Sequence, residues 1–97
     1  MNELIESLIE KWLDFSLEVR EKKGVNESLY EELIELLCEI KAALDGKDAV
    51  PKALAEIFVD MYAAVANCAE LYEDEMQQRV YEAASRLCDR ARDICTD

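Results

Sequence analysis

The stretch Ser28-Leu29-Tyr30-Glu31-Glu32-Leu33-Ile34-Glu35-Leu36-Leu37-Cys38-Glu39-Ile40 decides the fold. Leu29, Leu33, Leu36, Leu37, Ile40 and then Leu44 return at three- and four-residue intervals, which places one apolar stripe along a helix. Ser28 with Glu31 three residues later reads as a capping box at its start, and Asp45-Gly46 closes it.

Upstream, Leu4, Ile5, Leu8, Ile9, Trp12, Phe15 and Val19 repeat the same spacing and predict a helix from Asn2 to Lys23. Lys22 and Lys23 suit the carboxyl end of its dipole, and Gly24 is a left-handed stop. So short a connection to the next helix makes a hairpin. Downstream, a loop from Gly46 to Val50 leads to Pro51 in a first helical turn. Leu54, Ile57, Phe58, Met61, Val65, Cys68 and Tyr72 carry a third stripe, and Met76, Val80, Ala83, Leu87, Ala91 and Ile94 a fourth. Near residues 73–75 the chain either breaks, the favoured reading, or runs on as one helix of roughly 45 residues, ~65 Å long. The expected fold is therefore all-α: an antiparallel bundle of three to four helices in one domain, residues 1–97, completed by dimerisation.

Composition agrees with a helical core. Hydrophobic residues make up 52% of the 97, with two glycines and one proline. The net charge is −12, and residues 1–75 hold 19 acidic against 7 basic residues, whereas residues 76–97 hold four of each. Such a surface repels a phosphate backbone, so direct nucleic-acid binding is not expected. Glu3, Glu6 and Glu10 interrupt any apolar leader, and the longest uncharged run, Met61 to Ala69, is far short of the ~18–20 residues of a membrane span. The expected location is the cytoplasm. Cys38, Cys68, Cys88 and Cys95 form no C-x-x-C pair; the first three sit among apolar neighbours and read as buried, reduced thiols.

The chain has no histidine and no glycine-rich phosphate loop, which removes histidine-based nucleophilic catalysis and leaves carboxylate chemistry. Glu32, Glu35 and Glu39 stack at i, i+3 and i+7 on the second helix, with Glu31 beside them; Glu56 and Asp60 stack at i and i+4 on the third. Packed antiparallel, the two helices would line one groove with carboxylates, which hard cations such as Mg²⁺ favour. The same glutamates also fit the ordinary solvated face of an amphipathic helix. Arg79, Arg86 and Arg90 share a face of the tail helix and suit acids across the bundle.

Glu31-Glu32-Leu33-Ile34-Glu35 resembles the E-E-x-x-E element of the MazG-like, all-α nucleotide pyrophosphohydrolases. Leu54-Ala55-Glu56-Ile57-Phe58-Val59-Asp60-Met61 resembles that superfamily's second element, E-x-x-D, with Ile57 where the motif has glutamate. The order of helices over residues 9–90 is also similar. The resemblance implies a dimer or higher oligomer that uses Mg²⁺, or Mn²⁺, to cleave a nucleoside triphosphate to monophosphate and pyrophosphate. Glu32, Glu35, Glu56 and Asp60 would hold the metal, and Glu31 and Glu35 would serve the chemistry. The Ile57 departure leaves open an inactive relative. A second expectation belongs to another class: a non-enzymatic acidic binding protein, such as a phage- or plasmid-type inhibitor that imitates nucleic acid on a basic protein surface.

Overall fold

The computed structural model describes residues 2–47 and 49–96; Met1, Asp97 and Asp48, which falls within the expected loop, lie outside them. Four helices make up the chain: α1 (Asn2–Arg20), α2 (Glu27–Ala43), α3 (Lys52–Ala66) and α4 (Asp74–Thr96), with a 3₁₀ turn, Asn67–Leu71, between the last two. The all-α bundle read from the apolar stripes is the fold.

Sequence neighbours run antiparallel, yet helix adjacency is not sequential. α1 packs on α2 and α3, and α4 packs on the same two helices. The helices therefore occupy four corners, with α2 and α3 on one diagonal and α1 and α4 on the other. α2 and α4 lie side by side and run parallel. Glu27 meets Arg79 near their amino ends, while Cys38 and Lys41 share a groove with Arg90 and Asp93 further along.

The stripes converge on one core. Leu8 and Phe15 of α1, Leu33 and Ile40 of α2, Leu54 and Met61 of α3 and Val80 and Leu87 of α4 have no exposed surface. Each such side chain contributes about 1.5–3 kcal/mol by leaving water. No polar or charged residue among those described is buried.

The helix ends differ in detail from the sequence reading. α1 stops at Arg20, not Lys23. Lys23 N–H donates to Glu18 C=O (2.9 Å) and Lys22 N–H to Val19 C=O (3.2 Å), a Schellman closure with Lys22 itself left-handed at φ 65°. The cap of α2 is Asn26, not Ser28: its Oδ1 accepts from Leu29 N–H at 3.1 Å, and its Nδ2 donates to Glu18 across the hairpin at 3.1 Å. Pro51 sits just before α3, at φ −55° and ψ 140°.

The expected break exists and begins earlier than residues 73–75. After the 3₁₀ turn, Tyr72 is extended and Asp74 takes a φ of 51°, which turns the chain into α4. Gln77 Nε2 donates to the carbonyls of Ala69 (3.1 Å) and Tyr72 (3.2 Å), satisfying groups that a continuous helix would have paired. The Tyr72 side chain reaches across the bundle: its hydroxyl donates to Val19 C=O at 2.6 Å and accepts from Gly24 N–H at 2.9 Å.

Candidate functional site

α2 carries the densest row of carboxylates because its buried stripe, Tyr30, Leu33, Leu37 and Ile40, leaves the opposite arc to solvent. Glu31, Glu32, Glu35 and Glu39 are all exposed on that arc. Glu32 turns toward α1, where Lys11 Nζ donates to it at 3.2 Å. Glu31 and Glu35 border the seam with α4, in a groove of about 390 Å³ also lined by Glu27, Tyr30, Ile34, Arg79 and Arg86.

On α3, Glu56 and Asp60 are exposed as well. Ile57 is half-buried and packs against the core, so position 57 faces inward, where a glutamate would lose much of its hydration. The expected groove between α2 and α3 does not form, because those helices stand on a diagonal with α1 and α4 between them. Among the described residues, no three acidic or cysteine side chains gather as a metal-ligand cluster. The carboxylates expected to share a cation are thus spread over two separated helices, and one chain does not assemble them around it.

Arg79 organises the α2–α4 seam. Its Nε and Nη2 donate to the two carboxylate oxygens of Glu27 at 2.9 and 2.6 Å, a bidentate pair. The guanidinium also lies over the Tyr30 ring, 4.8 Å from its centroid. That hydrogen bond holds the Glu27 carboxyl below its ordinary pKa of 4.5, against a smaller opposing effect of desolvation. Arg79 is pushed upward, first by its bond to Glu27. Arg90 pairs with Asp93 at 3.4 Å, and Arg92 with Asp89 at 3.9 Å. Of the arginines that share a face of α4, Arg79 meets an acid across the bundle, Glu27, whereas Arg90 pairs within its own helix.

Sequence reasoning passed over Tyr30 and Glu27. Tyr30 fills the slot three residues before Leu33, and its ring packs 6.2 Å from that of Phe15. Glu27 is in the first turn of α2, where a carboxylate suits the dipole. The thiols also need correction: Cys68 is buried and donates to Ala64 C=O at 3.3 Å, Cys88 is half-buried, and Cys38 is exposed rather than buried. Position 38 lies toward the rim of the α2–α4 seam, on the side of Lys41 and Asp45.

Charge is divided unevenly among the helices. α1 and α2 together carry ten acidic residues (Glu3, Glu6, Glu10, Asp14, Glu18, Glu27, Glu31, Glu32, Glu35, Glu39) against Lys11, Arg20 and Lys41, a balance of −7. α3 and α4 each come to −1: Glu56 and Asp60 against Lys52, and five acids against four arginines. No helix among the described residues is long and apolar enough to cross a membrane. No protein-family model, curated protein or solved structure matches the chain.

Proposed function

We propose that this chain is a non-enzymatic acidic binding protein whose α1–α2 hairpin covers a basic surface on a protein partner. The concentration of ten carboxylates on two adjacent, solvent-facing helices supports this reading. A rigid frame holds those charges in fixed register, so a partner with arginines and lysines at matching spacing gains many contacts at once. The same field disfavours nucleic acid.

Titration calorimetry with an arginine-rich peptide as probe tests it. Binding should weaken steeply as salt rises. Glu35→Lys with Glu39→Lys should lower the affinity at least tenfold, and Asp89→Lys with Asp93→Lys on α4, an equal change of charge, should change it little. Equal losses from both would mean that the peptide responds to net charge alone, and the reading fails.

A second reading rests on the order of helices, with carboxylates on α2 and α3 as in the MazG-like pyrophosphohydrolases. Because those helices are diagonal, it requires Glu56 and Asp60 of one copy to approach Glu32 and Glu35 of another. Pyrophosphate release from a panel of nucleoside triphosphates with Mg²⁺ or Mn²⁺, abolished by Glu35→Gln, would replace the binding reading with this one.

A further inference from the structure

We infer that the groove between α2 and α4 is a binding site for the zwitterion of an α-amino acid with an apolar side chain. The groove has a volume of about 390 Å³, and one end is already closed. There Arg79 is committed to Glu27 and lies 4.8 Å over the Tyr30 ring. The other end is open. Glu31, Glu35 and Arg86 all line it, yet none of the three forms an ion pair among the described residues. The parallel helices account for this. Seven residues on from the Glu27–Arg79 pair, Ile34 of α2 comes level with Arg86 of α4, so Arg86 stands between the levels of Glu31 and Glu35.

A second observation comes from the groove's wall. Tyr30 lines it, is only 6% exposed, and its hydroxyl has no hydrogen-bond partner among the described residues. A buried phenol without a partner weakens the fold, and a ligand oxygen beside it offsets that loss. Charge selects the ligand. Three glutamates disfavour a free anion, and two arginines disfavour a metal cation or an alkylamine. A molecule that carries both signs a few ångströms apart suits both walls. The ammonium of an amino acid has three N–H donors for Glu31 and Glu35. Its carboxylate accepts from the Arg86 guanidinium and from the Tyr30 hydroxyl. The side chain then rests on Ile34, an aliphatic part of the lining.

The site is independent of the hairpin reading, and salt separates them. A zwitterion has no net charge, so its affinity should change little with salt, whereas binding of a basic peptide weakens. The test is a nuclear magnetic resonance titration of the full chain with L-leucine, L-methionine and L-phenylalanine. Saturable shifts at Tyr30 and Arg86 are expected from at least one of them. For the tightest binder, the amide lacks the carboxylate and the deaminated acid lacks the ammonium. Each should bind roughly tenfold more weakly or worse, and Arg86→Gln and Tyr30→Phe should weaken the amino acid by about the same factor. Tyr30→Phe should do so without lowering the urea midpoint, because it deletes a hydroxyl that had no partner to lose. That separates loss of the site from loss of the fold. Absence of saturable shifts with all three amino acids up to about 10 mM overturns the inference. So does an amide that binds as well as its amino acid, which would mark the groove as merely acidic, or an affinity unchanged by Arg86→Gln and Tyr30→Phe.

Discussion

The hydroxyl of Tyr72 donates to the carbonyl of Val19 at 2.6 Å and accepts from the amide of Gly24 at 2.9 Å, so one side chain closes the turn between α1 and α2 from 53 and 48 residues away. Val19 lies in the last turn of α1, where its carbonyl also accepts from Lys22 N–H at 3.2 Å, and the Gly24 amide has left the helix altogether. Removing the hydroxyl leaves the Gly24 amide short of a partner in a part-buried site, whereas the Val19 carbonyl keeps the Lys22 amide. Tyr72→Phe should therefore cost about 1–3 kcal/mol in urea unfolding, and hydrogen exchange at Gly24 should quicken more than at core amides.

Lys22 adopts φ 65° at the Schellman closure of α1. A side chain there costs roughly 1–2 kcal/mol, which glycine avoids while giving back part of the gain in unfolded-chain entropy. Lys22→Gly should raise stability by about 0.5–1 kcal/mol, whereas Gly24→Ala at φ 82° should lower it. The added Cβ would also stand 3.3 Å from Met76 Cε. Thermal denaturation of the two variants gives opposite signs if the closure is as described.

The Arg79–Glu27 pair carries a pH signature. Folding depresses the Glu27 pKa, so the pair stabilises the fold at neutral pH, and that contribution disappears as pH falls through the carboxylate range below 4.5. Glu27 remains 59% exposed on its side chain, so solvent screening limits the gain to about 0.5–1 kcal/mol. Glu27→Gln should lose that amount at pH 7 and almost nothing at pH 3. Arg79→Ala should cost more than Glu27→Gln, because the cation over the Tyr30 ring is lost as well.

Glu35 and Glu39, unlike Glu27 and Glu32, project into solvent with no ion pair among the described residues. Glu35→Gln and Glu39→Gln should leave stability within about 0.5 kcal/mol or raise it, and any rise should be larger at low salt, where the excess negative charge is least screened. Leu33→Ala, on the buried side of the same helix, should cost about 2–5 kcal/mol. Urea midpoints for the three variants measure the contrast directly.

What the sequence disclosed follows from which forces are local. The stripes of α1 and α2 were legible because Leu8, Phe15, Leu33 and Ile40 recur at helical spacing and are buried on that account alone. Ser28 has the spacing of a cap because a glutamate follows three residues on. Asn26 holds the position instead, and part of its hold is a bond to Glu18 that only the folded hairpin creates. The break before α4 was visible as lengthened spacing, but its construction from Gln77 and the extended Tyr72 was not. The candidate site depended most on what a sequence lacks. Spacing placed Glu32 with Glu35 and Glu56 with Asp60, each pair on its own helix. Whether α2 neighbours α3 is settled by packing across the whole core, and here it does not.

The division of charge between the hairpin and the rest of the bundle also gives the molecule a polarity across its short dimensions of 22 and 19 Å. A body with such a dipole moment does not tumble at random near a charged surface. Torque turns its acidic side toward a positive region while the two are still several ångströms apart, so a larger share of collisions begins in a usable orientation. The two helices at −1 each stand opposite a hairpin at −7, and that contrast is what makes the turning force possible.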